Sequence, residues 1–132
     1  MRLDHINIAV PAAQLDRLRD FYCDVLGLVA GERPDFGRRG YWLYGAAGAC
    51  VHLIETDRDR RQAAPGPLDH VAFRGSDLAA TVRRLDAAGI EYRRSHIPEL
   101  DLTQLFLHDP AGIRVELNFP GSAVAADRAG AD

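Results

Sequence analysis

Leu3-Asp4-His5 recurs as Leu68-Asp69-His70, 65 residues further on, and Val51-His52-Leu53 recurs as Val115-Glu116-Leu117 at an offset of 64. Self-similarity at a fixed period marks a duplicated supersecondary unit. Each copy opens with a histidine and closes with a residue that can ligate a metal, so four candidate ligands occupy repeat-related positions. Outward from the first copy, Leu3, His5, Asn7 and Ala9 alternate with Asp4, Ile6, Ile8 and Val10, the period of a half-buried strand. Pro11 and Ala12 then open a segment in which Leu15, Leu18, Phe21, Tyr22, Val25 and Leu26 fall at helical spacing, and Gly27 ends it. Strands are predicted over Leu28–Arg33, Tyr41–Tyr44 and Ala49–Glu55, separated by Pro34-Asp35-Phe36-Gly37 and Gly45-Ala46-Ala47-Gly48. The first unit therefore reads βαβββ.

The second copy repeats that order. Leu68–Arg74 is a strand, Ser76-Asp77 starts a helix, Leu78, Val82, Leu85 and Ala88 form its apolar stripe, and Gly89 ends it. Strands over Ile90–Ser95, Thr103–His108 and Ile113–Phe119 follow, the last two joined by Asp109-Pro110-Ala111-Gly112, with Gly where a positive φ is needed. The predicted boundaries are a first module over 1–56, a linker over 57–67 that lacks apolar periodicity, a second module over 68–120, and a flexible Ala/Gly-rich tail over 121–132.

Composition narrows the class. In 132 residues with 47% apolar and 27% charged content there is room for one well-buried core and not for two ordinary domains. No run approaches a membrane span, and the N-terminus lacks the features of a secretory leader, so a cytoplasmic location is expected. All 16 basic residues are arginine, yet acidic residues outnumber them and the net charge is −3, which argues against nucleic acid or an anionic membrane as partner. Cys23 and Cys50 form neither a disulfide framework nor a C-x-x-C knuckle and read as buried apolar fillers.

Strand parity sorts the chemistry. Glu116 shares a face with Arg114 and Asn118, and His52 shares one with Cys50 and Ile54, whereas Glu55 points away. His52 is thus the counterpart of Glu116. If two βαβββ units curl around a common centre, His5, His52, His70 and Glu116 converge on one divalent cation. Three imidazoles and a carboxylate suit Fe, Mn, Co, Ni or Zn and are too nitrogen-rich for Mg or Ca. Without His52, the set becomes the two-histidine, one-carboxylate triad of non-haem Fe(II) oxygenases. Parity also marks Asn7, Arg74, Arg114 and Asn118 as candidate substrate contacts, with Trp42, Tyr44 and Phe106 as aromatic walls. Arg74 and Arg114 can pair a substrate carboxylate or phosphate, or serve in ordinary salt bridges. His96 and His108 have no ligand-type repeat partner and read as exposed.

Four stretches resemble the vicinal oxygen chelate superfamily, whose members include glyoxalase I, methylmalonyl-CoA epimerase, fosfomycin-resistance transferases, extradiol dioxygenases and bleomycin-resistance proteins. They are Leu3-Asp4-His5-Ile6-Asn7-Ile8, Phe21-Tyr22-Cys23-Asp24-Val25-Leu26-Gly27-Leu28, Leu68-Asp69-His70-Val71-Ala72-Phe73, and Leu107-His108-Asp109-Pro110-Ala111-Gly112-Ile113-Arg114-Val115-Glu116-Leu117. The resemblance covers residues 1 to about 120. It implies an α+β fold in which two tandem βαβββ modules form a half-open mixed β-barrel around one divalent metal, which chelates neighbouring substrate oxygens. Carried over as ligands are His5, His70 and Glu116, with His52 standing where glyoxalase I members have a glutamate. That departure counts against activity on glutathione hemithioacetals. The bleomycin-binding members lack the metal ligands, so the ligand set counts against that branch.

The expected function is a metal-dependent, glyoxalase-like isomerase or lyase acting on a small oxygenated metabolite, with Glu116 or His52 as the proton-shuttling group. An Fe(II) extradiol-type dioxygenase built on His5, His70 and Glu116 is the second reading, and a non-catalytic drug- or metabolite-binding protein is the third. Such two-module chains complete their sites within one chain or across a dimer, and a homodimer is expected.

Overall fold

Ile6–Val10 forms strand β1, and its alternation buries Ile8 and Val10 while leaving Asn7 exposed. A computed structural model of the chain describes residues 3–57, 68 and 70–121. The chain divides into two compact units, Met1–Gly66 and Pro67–Asp132. Most of the predicted linker and all but the first residue of the predicted tail lie outside the described residues.

In the first unit, α1 (Ala12–Asp20) follows β1 and runs directly into a π-helical turn over Phe21–Val25. The predicted helix is therefore present but not uniformly α. Successive α-helical residues point about 100° apart, so adjacent Phe21 and Tyr22 overfill a single stripe. Both nevertheless bury, with Val25, in the wider turn. Gly27, at φ 77°, then closes the helix end, its N–H bonding the Cys23 carbonyl. Strands β2 (Val29–Gly31), β3 (Gly40–Gly45) and β4 (Gly48–Glu55) complete a sheet of order β1-β4-β3-β2, with β1 parallel to β4 and the other pairs antiparallel. Helix α1 packs on β3 and β4. Leu15, Leu18, Leu43, Val51 and Leu53 are almost wholly excluded from solvent. Burying each such side chain is worth about 1.5 to 3 kcal/mol before entropy is counted. The Tyr41 hydroxyl donates to Asp16 (2.7 Å) and accepts from Arg19 (2.8 Å), tying helix to sheet at its edge.

The second unit has the same order: β5 (Val71–Arg74), α2 (Leu78–Ala87), β6 (Arg93–Ile97), β7 (Leu102–His108) and β8 (Arg114–Pro120), in a sheet of order β5-β8-β7-β6 with β5 parallel to β8. Asp77 caps α2 by accepting from the Ala80 N–H, and Gly89, at φ 64°, follows its end. The predicted turn at Asp109 is built by that side chain, which accepts from the N–H groups of Ala111 and Ile113, while Gly112 takes φ 85°. The second strand of this unit starts later than its predicted Ile90, at Arg93, and ends in a 3₁₀ turn at Pro98–Leu100. Leu85, Leu105, Leu107, Val115, Leu117 and Phe119 are buried.

Candidate metal and substrate site

The duplication extends to the strand register. In the first unit His52 sits between Asn7 on β1 and Trp42 on β3, and Trp42 in turn pairs with Gly31 on β2. In the second unit Glu116 sits between Ala72 on β5 and Phe106 on β7, and Phe106 pairs with Arg93 on β6. Directly opposed residues project from the same side of a sheet. Each candidate ligand on a fourth strand is therefore flanked by an aromatic residue on the third, on the face opposite Val51 and Leu53 in one unit and Val115 and Leu117 in the other.

His5, just ahead of β1, stacks on His52 with ring centroids 3.9 Å apart, and His52 stacks on Trp42 at 4.4 Å, all three rings nearly parallel. Burial foremost, then the neighbouring His5, holds the His52 imidazole below the ordinary histidine pKa and so favours the neutral, lone-pair-bearing form. The Nδ1 of His5 is 2.7 Å from the Asp4 carboxylate. With the proton on Nδ1, that bond leaves Nε2 as the free lone pair, the arrangement by which a carboxylate orients a metal-binding imidazole. A cavity of about 710 Å³ opens on this face, lined among others by His5, Asn7, Arg33, Trp42, Cys50 and His52. Cys50, expected to be a core filler, is half-buried and contributes to that lining.

In the second unit, the Glu116 carboxylate is only 9% exposed, an expensive place for a charge without partners. Its Oε1 accepts from the side-chain amides of Gln104 and Asn118, both at 2.8 Å. Its Oε2 lies 3.3 Å from Nε2 of His70. One oxygen is thus locked by two amides and the other faces an imidazole. In chemistry, each pair suits a divalent cation: a buried carboxylate oriented by neighbouring amides in the second unit, and a carboxylate-held histidine in the first, are the kinds of support that metal ligands have. Among the described residues, no three His, Cys, Asp or Glu side chains cluster as a metal site; the first unit holds the pair His5–His52 and the second the pair His70–Glu116.

The substrate-side candidates divide. Asn7 and Trp42 line the cavity beside His52, and Asn118 anchors Glu116. Phe106 adjoins Glu116 in register, with the Arg114 guanidinium 5.3 Å above its ring. Arg74 is exposed at the end of β5, opposite Asn118. Tyr44 is committed to structure, its hydroxyl donating to the Glu32 carbonyl at 2.6 Å and its ring covering Gly31. His96 and His108 are exposed, as expected. Sequence reasoning missed Gln104 and Asp4, which together with Asn118 orient candidate ligands. Gln104 has the parity of Phe106 on β7, and that was its available signal. Asp4 lies on the opposite parity to His5 and gave none.

The Glyoxalase/Bleomycin resistance protein/Dioxygenase superfamily model matches residues 2–117. "Glyoxylase I 4" of Arabidopsis thaliana is 30% identical over 122 residues, covering 87% of this chain and 68% of that protein. A glyoxalase-family protein from Bacillus anthracis superposes with a TM-score of 0.72 at 24% identity, covering 91% of this chain and 95% of its own. A variant of a fosfomycin resistance protein from Listeria monocytogenes, complexed with Mn(II) and 1S,2S-dihydroxypropylphosphonic acid, superposes with a TM-score of 0.69 at 16% identity over 90% of this chain and 92% of its own. With a family model spanning most of its length and the paired βαβββ units that those structures share, this chain belongs to the glyoxalase/bleomycin resistance protein/dioxygenase superfamily.

Proposed function

We propose that the protein is a divalent-metal-dependent isomerase or lyase acting on a small oxygenated metabolite, with His5, His52, His70 and Glu116 as the metal-holding set. The observation that carries the reading is the Glu116 carboxylate, buried, fixed at Oε1 by Gln104 and Asn118 and presenting Oε2 toward His70. A bound divalent cation supplies Lewis-acid stabilisation of negative charge developing on a substrate oxygen. The chain's own groups do the rest. Asp4 holds the Nδ1 of His5 and so leaves Nε2 available, the stack on Trp42 orients His52, and burial favours its neutral form. Asn7 and Trp42 form a wall for the substrate body. Glu116, through Oε2, or His52 would take and return a proton when it is not itself holding the metal; Oε1 is occupied by two N–H donors. In the Listeria relative, Mn(II) and a dihydroxy acid occur together in one complex, which is in keeping with a chelated oxygenated substrate here.

The subset His5, His70 and Glu116, two histidines and a carboxylate, supports a second reading as an Fe(II) dioxygenase. That reading predicts oxygen uptake with a catecholic substrate after anaerobic loading with iron. The functional particle is proposed to be a homodimer, eluting with a light-scattering mass twice the chain's 14.5 kDa.

The decisive experiment is metal content by plasma mass spectrometry, wild type beside a His5→Ala/Glu116→Ala double variant, with a metal titration followed by tryptophan fluorescence. Trp42 is the sole tryptophan and stacks on His52, so it reports on that ligand. About one metal per chain, lost in the variant, is expected. A wild type that holds no metal and takes up none overturns both enzyme readings and favours a binding protein.

A further inference from the structure

The row of rings that begins with His5 and His52 does not stop at Trp42. The Phe36 ring, in the loop between β2 and β3, lies 6.1 Å from that of Trp42, and the Arg33 guanidinium lies over Phe36 at 5.0 Å. Arg33 and Phe36 line the same cavity of about 710 Å³ as His5, Asn7, Trp42 and His52. Arg33 is half-buried and held from three sides. Beneath it is the Phe36 ring; its Nη1 donates to the Arg38 carbonyl at 3.1 Å; and its Cζ and Nε pack against Gly40, where a Cβ would come within 3.0 Å of both. The Arg38 bond uses one of five N–H donors. Among the described residues, the one buried side-chain N or O atom without a partner is Glu55 Oε2, so the other donors of Arg33 are not sealed from solvent. The loop's other arginines are paired, Arg38 with Asp57 and Arg39 with Asp16 and Glu55, whereas no carboxylate among the described residues pairs with Arg33. The one carboxylate in the cavity lining, Asp4, lies 2.7 Å from His5. A guanidinium never sheds its charge, and its planar fork of donors matches the oxygens of a carboxylate or a phosphoryl group.

Resting on the reading of this cavity as the substrate site, we propose that Arg33 is its specificity-determining residue and that the substrate carries a carboxylate or a phosphate or phosphonate group, which the guanidinium's open donors bind. Phe36 and Trp42, which stand between Arg33 and His52 in the row of rings, receive the substrate's carbon body. Stacking fixes the guanidinium before the anion arrives, so little side-chain freedom is lost on binding. An uncharged analogue of the same shape forfeits the charge-assisted hydrogen bonds, so the site discriminates against it. Arg33 entered the sequence pattern only as the last residue of a predicted strand.

The test is titration of the full chain at low ionic strength with phenylphosphonate, benzoate and uncharged benzamide, followed by the fluorescence of Trp42, the sole tryptophan, in the cavity wall. EDTA is present, so that no metal can hold the anion instead. The proteins compared are wild type, Arg33→Gln, Arg33→Lys and Arg38→Gln. Arg38→Gln removes the same charge from the same loop and keeps the carbonyl that holds Arg33, so it serves as the control. Wild type is expected to bind at least one anion about tenfold more tightly than benzamide, the worth of a charge-assisted hydrogen bond. Arg33→Gln should abolish that preference, Arg33→Lys keep part of it, Arg38→Gln leave it unchanged, and high salt reduce it. The preferred anion identifies the substrate's charged group. Equal binding of anions and benzamide by wild type, binding of none of the three, or an undiminished preference in folded Arg33→Gln overturns the proposal. Arg33→Gln should retain the metal content of wild type; its loss would make Arg33 a structural residue and overturn the proposal as well. Because the titration is done without metal, its failure is distinguishable from failure of the metal reading, which metal content of the wild type measures separately.

Discussion

At the scale of single residues, the groups that matter most beyond the proposed ligands are those that aim them. Gln104 and Asn118 both donate to one oxygen of Glu116, so removing either leaves a buried carboxylate oxygen underbonded and free to rotate. Gln104→Leu keeps the side chain's approximate size and deletes the donor. Loss of such an outer partner costs about 10- to 100-fold in metal affinity. That loss, measured by competition with a chelator of known affinity, is the expected outcome, and an unchanged affinity would show that Glu116 does not hold the metal. Asp4 plays the same part for His5 through its 2.7 Å contact, in a more exposed and therefore more screened setting. His52 differs in kind: its orientation comes from being layered between two rings.

At the scale of elements, the fourth strand of each unit carries the central candidate ligand, and its neighbours hold it in register. Gly40 on β3 pairs with Ile54 on β4, and a Cβ at Gly40 would come 2.4 Å from the Leu53 carbonyl oxygen, a backbone atom that cannot swing aside. Gly40→Ala must push β3 and β4 apart beside His52. A destabilisation of about 1 to 3 kcal/mol is expected from such overpacking. Thermal denaturation checks it, and weakened quenching of Trp42 by metal should accompany it. The π turn at Phe21–Val25 is the element that helical periodicity did not predict. Its clue was the adjacency of two large aromatics, which a regular α-helix cannot bury equally well along one stripe.

At the scale of the whole molecule, a ligand that binds the folded chain and not the unfolded one stabilises it by mass action. At a free metal concentration 100-fold above the dissociation constant the gain is about 2.7 kcal/mol. Differential scanning calorimetry should show a raised Tm with added metal, reversed by EDTA and absent in the His5→Ala/Glu116→Ala variant. An unchanged Tm at saturating metal would mean that the folded chain has no such site. The duplicated βαβββ order, both helix stops at Gly27 and Gly89, and the faces of His52 and Glu116 were legible from the sequence. Each depends on local periodicity or on the positive φ that glycine adopts without cost. Gln104 beneath Glu116, the His5–His52–Trp42 stack and Arg93 over Phe106 were not. Those contacts join residues 10 to 47 positions apart and depend on which strands pair and in what register. Long-range strand pairing is decided by the packing of the whole sheet, and only the tertiary structure carries that information.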